Sequence, residues 1–103
     1  MKALQNWLMK VRIAREFNRT ADFYRQRRYD GYRAYEDAVK ELRANNFRPA
    51  DVIVKGELAA LKQAISNTPK SAFVVAFVRQ TLTRYEEYHE YLTSRIAETK
   101  QSD

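Results

Sequence analysis

Residues 2–44 read KALQNWLMKVRIAREFNRTADFYRQRRYDGYRAYEDAVKELRA, and the reading of this stretch decides the fold. Apolar side chains recur at steps of three and four: Leu4, Trp7, Val11, Ala14, Phe17, Ala21 and Tyr24, then, past Arg28, Tyr32, Tyr35, Val39 and Leu42. That spacing marks one face of an α-helix. The stripe stays in phase across Asp30-Gly31, which predicts a continuous or kinked helix over residues 2–44. Asp-Gly is also turn chemistry, and glycine weakens a helix interior, so a true break at that pair is the alternative. Asn45-Asn46 ends the segment, because asparagine tolerates the left-handed conformation at a helix C-terminus.

Beyond it, Pro49 and Asp51 open a second helical segment with Val54, Leu58, Leu61 and Ile65 on its buried face. The run Val52-Ile53-Val54 before Gly56 also fits a short strand, whose one available partner is residues 73–78. Thr68-Pro69 starts a third helix, with a capping hydroxyl followed by proline in the first turn. That helix is expected to reach Thr99, with Val74, Val78, Leu82, Tyr85, Leu92 and Ile96 as its stripe and residues 100–103 frayed. Residues 72–78 are apolar on every side, so they are expected to be the most buried part of the chain. Phe73, Val74, Phe77 and Val78 should then meet Leu58, Leu61 and Leu82 in a common core. The chain holds only two glycines and two prolines, a scarcity that favours long helices over strands and turns. The expectation is an all-α fold: a small helical bundle of three to four helices with long first and last helices, residues 1–103 forming one helical domain.

Helix length bears on assembly. An unbroken helix over residues 2–44 would be about 64 Å long, and the second segment would cover only about 26 Å of it. Leu4, Trp7, Val11 and Phe17 would then project and need a partner, most simply a second copy of the chain. A break at Asp30-Gly31 would let four shorter helices close as a monomer.

The charge is concentrated. The first 28 residues carry eight basic and two acidic side chains, which is the whole of the net charge of +6; residues 29–103 balance. Because this stretch is helical and amphipathic, it displays its charge on a defined face. Arg12, Arg15 and Arg19 lie at helical steps, and Arg25, Arg27 and Arg28 sit among Phe23, Tyr24 and Tyr29. Guanidinium groups donate paired hydrogen bonds to phosphate or carboxylate, and the rings offer stacking surface. A solvated helix face, neutralised in part by Glu86, Glu87 and Glu90, is the plain alternative. The tyrosines form two groups, Tyr24 to Tyr35 and Tyr85 to Tyr91; the simplest expectation is ring packing at bundle edges with hydroxyls in water.

Little chemistry fits this composition. Without cysteine there is no disulfide, thiolate metal site or sulfur nucleophile. No serine stands in a Gly-x-Ser-x-Gly turn, and two isolated glycines make no phosphate-cradling loop. Glu86 and His89 have Glu-x-x-His spacing, but a di-metal bundle needs a second such pair and two more glutamates, and the chain has one histidine. His89 is expected at the surface. Hydrophobic residues at 45% exclude a disordered chain. The N-terminus does not read as a secretory signal and no apolar run approaches a membrane span, so the cytoplasm is the expected compartment.

The expected function is therefore a small, non-catalytic binding protein with no cofactor and no metal. The contact residues are expected to be Trp7, Arg12, Arg15, Arg19, Tyr24, Arg25, Arg27, Arg28, Tyr29 and Tyr32. A protein partner ranks first, as for an inhibitor of a nucleic-acid-handling machine, with a homodimer as a further option. Nucleic acid bound through its phosphates ranks second. A membrane surface, against the Leu4, Trp7, Leu8 and Val11 face, ranks third.

Overall fold

The first helix stops short of Asp30-Gly31. In the computed structural model, which describes residues 2–67 and 72–101 and the side chains of 2–67 and 75–99, α1 spans Lys2–Gln26 and α2 spans Tyr32–Arg43. α3 spans Arg48–Asn67 and α4 spans Ala72–Gln101. The fold is all-α, with four helices and no strand among the described residues; the Val52-Ile53-Val54 run is helical. The expected Thr68-Pro69 helix start and the side chains of Phe73 and Val74 lie outside the described residues, as do Ser102 and Asp103. α4 stays helical through Lys100 and Gln101, where fraying was expected.

Two turns of the same design reverse the chain. After α1, Arg28 takes a left-handed backbone, φ 57°. The Tyr29 N–H donates to the Tyr24 carbonyl at 2.9 Å and the Arg28 N–H to the Arg25 carbonyl at 3.0 Å. These are the two bonds of a Schellman cap, and the accompanying apolar contact is the edge-to-face packing of Tyr24 on Tyr29 at 4.9 Å. After α2, Asn45 repeats the conformation at φ 64°. Asn46 N–H donates to the Glu41 carbonyl at 2.8 Å, and the Asn46 side-chain amide donates to the Glu41 carboxylate at 2.8 Å in place of a ring contact. Gly31, the residue that suggested the break, has an ordinary helical φ of −57°. Its lack of a side chain makes room for the Tyr29 ring, which a Cβ would meet at 2.5 Å.

α2 is only 12 residues long and could not persist alone in water. Its face Tyr35, Ala38, Val39 and Leu42 packs back on Ile13, Ala14, Phe17 and Ala21 of α1. Phe47, between α2 and α3, is fully buried, and its carbonyl accepts the Asp51 N–H at 3.1 Å to start α3. α3 adds Ala50, Val54 and Leu58, and α4 adds Tyr85, Tyr88, Tyr91 and Leu92. Helices adjacent in sequence pack together, and α4 also returns to α1, giving a flattened molecule of 47 × 31 × 21 Å.

The core lies elsewhere than the apolar run of α4 suggested. Phe77 is 62% exposed, Leu61, Val78 and Leu82 are half-buried, and of the described members of the expected group only Leu58 is fully inside. The centre is built by Phe17, Leu42, Phe47, Val54, Tyr88 and Leu92. Apolar character alone could not place residues 75–78, because α4 is 30 residues long and meets α1 further along, at Arg84, Tyr88 and Tyr91. The premise for self-association also changes. Phe17 is buried and Val11 half-buried, which leaves Leu4, Trp7 and Leu8 exposed on the first two turns of α1. Among the described residues no helix is long and apolar enough to cross a membrane.

Phe17→Ala should therefore cost about 3–5 kcal/mol, while Phe77→Ala should stay within about 0.5 kcal/mol of wild type. Urea unfolding of the two variants checks the placement of the core. Arg28→Gly should raise stability by up to about 1 kcal/mol, since glycine adopts the left-handed conformation without a Cβ penalty. A lower melting temperature for that variant would contradict the cap.

Candidate binding face on the first helix

The exposed side of α1 carries Leu8, Arg12, Arg15, Arg19, Asp22 and Gln26 at alternating steps of four and three. Arg15 and Arg19 form a ridge with a groove on either side. The groove towards α2 has a volume of about 510 Å³ and is lined by Trp7, Lys10, Val11, Ala14, Arg15, Asn18, Arg19, Asp22 and Arg43. The groove towards α4, about 280 Å³, is lined by Arg12, Arg15, Glu16, Arg19, Arg84 and Tyr88. A third hollow of about 330 Å³ continues past Trp7 to Ala3, Asn6, Lys10, Asn45 and Arg95. Seven cations from three helices thus converge on one side of the molecule against two carboxylates. Like charges lining a cleft of low-dielectric walls reinforce one another's field and draw in anions.

Pairing decides which of those cations are available. Among the described residues Arg15, Arg19 and Arg43 have no acidic partner. Lys10 reaches across to the Asn45 side-chain oxygen at 2.8 Å, tying α1 to the second cap. Arg84 lies 2.8 Å from Glu16, whose carboxylate also accepts the Tyr88 hydroxyl at 3.3 Å. That ion pair holds the Arg84 guanidinium against the groove wall. Glu86, Glu87 and Glu90 make no ion pair with α1, so the expected neutralisation from α4 is supplied by Glu16 of α1 itself.

The sequence-predicted residues fall into two groups. Trp7, Arg12, Arg15 and Arg19 share the groove system. Tyr24, Arg25, Arg27, Arg28, Tyr29 and Tyr32 gather at the first turn and mostly satisfy one another. Arg25 pairs with Asp22 at 2.9 Å and with Glu36, and its guanidinium stands 5.0 Å over the Tyr32 ring. Arg27 covers Phe23 at 3.7 Å, and Tyr24 packs on Tyr29 and Tyr35. Arg28 forms the helix cap. Arg43, Arg84 and Asn18 were missed. Arg43 and Arg84 come from distant segments that only the fold brings beside α1, and Asn18 carried no signal beyond its helical register.

Four of the tyrosines also depart from the expectation of hydroxyls in water. Tyr35, Tyr85, Tyr88 and Tyr91 are buried, with hydroxyls turned to protein. Tyr35 donates to Glu57 at 2.9 Å, and Tyr91 donates to the Asn6 carbonyl at 3.1 Å. Burial pushes the ionisation of all four above the ordinary tyrosine range, reinforced by the Glu57 charge at Tyr35 and by Glu16 at Tyr85 and Tyr88. Arg95 opposes the shift at Tyr91. His89 is half-buried, its Nδ1 2.7 Å from the buried Asp51 carboxylate, which also meets Lys55 at 3.4 Å. Among the described residues no group of acidic or histidine side chains is placed to hold a metal ion.

Comparison with known proteins finds no match to a family model, to a curated protein or to a solved structure.

The buried tyrosines set an alkaline limit. A group whose folded pKa is raised contributes its stability below the unfolded value, about 10 for tyrosine, and loses it as pH rises towards the folded value. The tyrosine contribution should be constant below about pH 10 and be lost above it. The ultraviolet absorbance of tyrosinate should show these four rings ionising together with unfolding; their titration in a still-folded protein would contradict the burial.

Proposed function

We propose that this chain is a non-catalytic, cytoplasmic nucleic-acid-binding module that seats phosphates along the α1 face. The observation that carries the reading is the ridge of Arg15 and Arg19, without acidic partners among the described residues, between two grooves that each receive a further arginine from another helix. Guanidinium forks suit phosphate oxygens, and cations gathered on one face gain affinity by releasing condensed counterions. No group on this face is arranged as a nucleophile with its base. Carboxylates are few there, and Glu16 is already engaged by Arg84 and Tyr88.

A protein partner, ranked first on sequence, keeps one observation in its favour. Leu4, Trp7 and Leu8 stand exposed on neighbouring turns at the end of the same face. Such a patch offers an aromatic anchor to another protein. The charge distribution moves this reading to second place, because the grooves themselves are lined mainly by cations.

Salt dependence separates the two. If Arg15, Arg19, Arg43 and Arg84 each neutralise one phosphate, the log–log salt slope should lie near −3.6, and affinity should fall about 150-fold between roughly 50 and 200 mM salt. Anisotropy titration of a labelled oligonucleotide measures it. Arg15→Gln with Arg19→Gln should reduce the slope by about two. Absence of binding at about 50 mM salt would remove the nucleic-acid reading and leave Trp7→Ala as the variant to test against protein partners.

A further inference from the structure

The arrangement of the grooves says which form of nucleic acid fits, given the nucleic-acid reading above. We propose that α1 lies in the major groove of B-form duplex DNA, with one phosphate strand in each of the two grooves that flank it. The solvent crest of α1, from Arg12 through Arg15 and Arg19 to Asp22, stands between the grooves. Arg43, the last residue of α2, supplies the outer cation on one side, and Arg84 of α4 supplies it on the other. One helix flanked symmetrically by cations matches two phosphate strands running either side of it. A single strand needs only one charged track.

Dimensions agree. A helix with its side chains is about 10–12 Å across, and the major groove of B-DNA is about 12 Å wide. The major groove of an RNA duplex is too deep and narrow to admit it. The crest from residue 12 to residue 22 is about 15 Å long, the rise of four to five base pairs at about 3.4 Å each.

The shortage of stacking surface excludes the single strand. Proteins that hold unpaired strands stack successive bases on several aromatic faces. Among the residues lining the two grooves that flank α1 the rings are Trp7, at one end, and Tyr88, which is buried with its hydroxyl on Glu16. Beside the crest stands one edge-reading group. The exposed Asn18 amide, on the α2 side of the crest, matches adenine N6 and N7, while Arg15 and Arg19, which line both grooves, meet the phosphates. Arg43 and Arg84 hold the backbone and set the register, while Asn18 discriminates between bases.

The test compares one sequence as duplex DNA, single-stranded DNA and duplex RNA, by anisotropy at about 50 mM salt. Duplex DNA should bind at least about tenfold more tightly than either alternative. Methyl green, which occupies the major groove, should displace the protein; netropsin, which occupies the minor groove, should not. Arg43→Gln and Arg84→Gln should each reduce the salt slope by about one, and together by about two. Arg43 is exposed and makes no ion pair among the described residues, so its variant keeps the test sound if loss of the Glu16 partner perturbs folding in the other. Asn18→Ala should leave the slope unchanged while altering which duplexes are selected from a randomised pool. Equal or tighter binding to the single strand or to duplex RNA, displacement by netropsin, or an unchanged slope in Arg43→Gln would overturn the major-groove placement and leave phosphate binding standing. No binding to any of the three would overturn both.

Discussion

The rest of the molecule depends on α1 ending at Gln26. Had the helical stripe continued through residue 44, Tyr35, Val39 and Leu42 would prolong the apolar face of α1 and could never meet it. The left-handed Arg28 and its two backbone bonds turn the chain, and the Tyr24–Tyr29 contact closes the turn. Phe17 and Tyr35 can then pack edge to face at 5.3 Å, and the short α2 gains the partner without which it would not hold together. The same reversal carries Arg43 back alongside Lys10 and Trp7. Fold and charged face therefore follow from one change of backbone hand.

The return of α4 to α1 rests on polar groups buried among apolar ones. Glu16 lies midway along α1 and engages Tyr88 and Arg84; Tyr91 reaches the Asn6 carbonyl two to three turns away. Such contacts add modestly to net stability once desolvation is counted, but they tolerate little displacement. An α4 shifted by one turn would leave a carboxylate and two hydroxyls without partners in the interior. The polar contacts thus set the axial register of α4, and with it the position of Arg84 at the groove wall.

What was legible in the sequence was the part governed by short-range periodicity. The helical class, the faces Val39–Leu42 and Val54–Leu58, the stop at Asn45 and the long last helix all follow from residue spacing and caps. The first break was legible as the alternative at Asp30-Gly31, a pair that lies within the connection from α1 to α2, but its mechanism was not, since an arginine in left-handed conformation leaves no mark in composition. Phe77 misled because hydrophobicity reports a tendency to be buried, whereas α4 turns Tyr85, Tyr88 and Leu92 into the core and leaves Phe77 outside it. Tyr88 and Tyr91 misled in the opposite sense: a hydroxyl suggests the surface until a carboxylate or a backbone carbonyl is found to receive it. For the binding face, Arg12, Arg15 and Arg19 were readable on one helix. Arg43 and Arg84 join them only through tertiary packing, while Arg25 is drawn away by Asp22 and Glu36.

Trp7 is the chain's single tryptophan, and it is 58% exposed at the mouth of the larger groove, far from the Phe17–Leu92 centre. Its indole is already in contact with water in the native state. Emission excited selectively in tryptophan will therefore respond weakly to loss of the core and strongly to whatever occupies the face beside it. The tyrosines, four of them inside, carry the complementary record of packing. The molecule so contains two spectrally distinct reporters, one for occupancy and one for integrity, separated by its own fold.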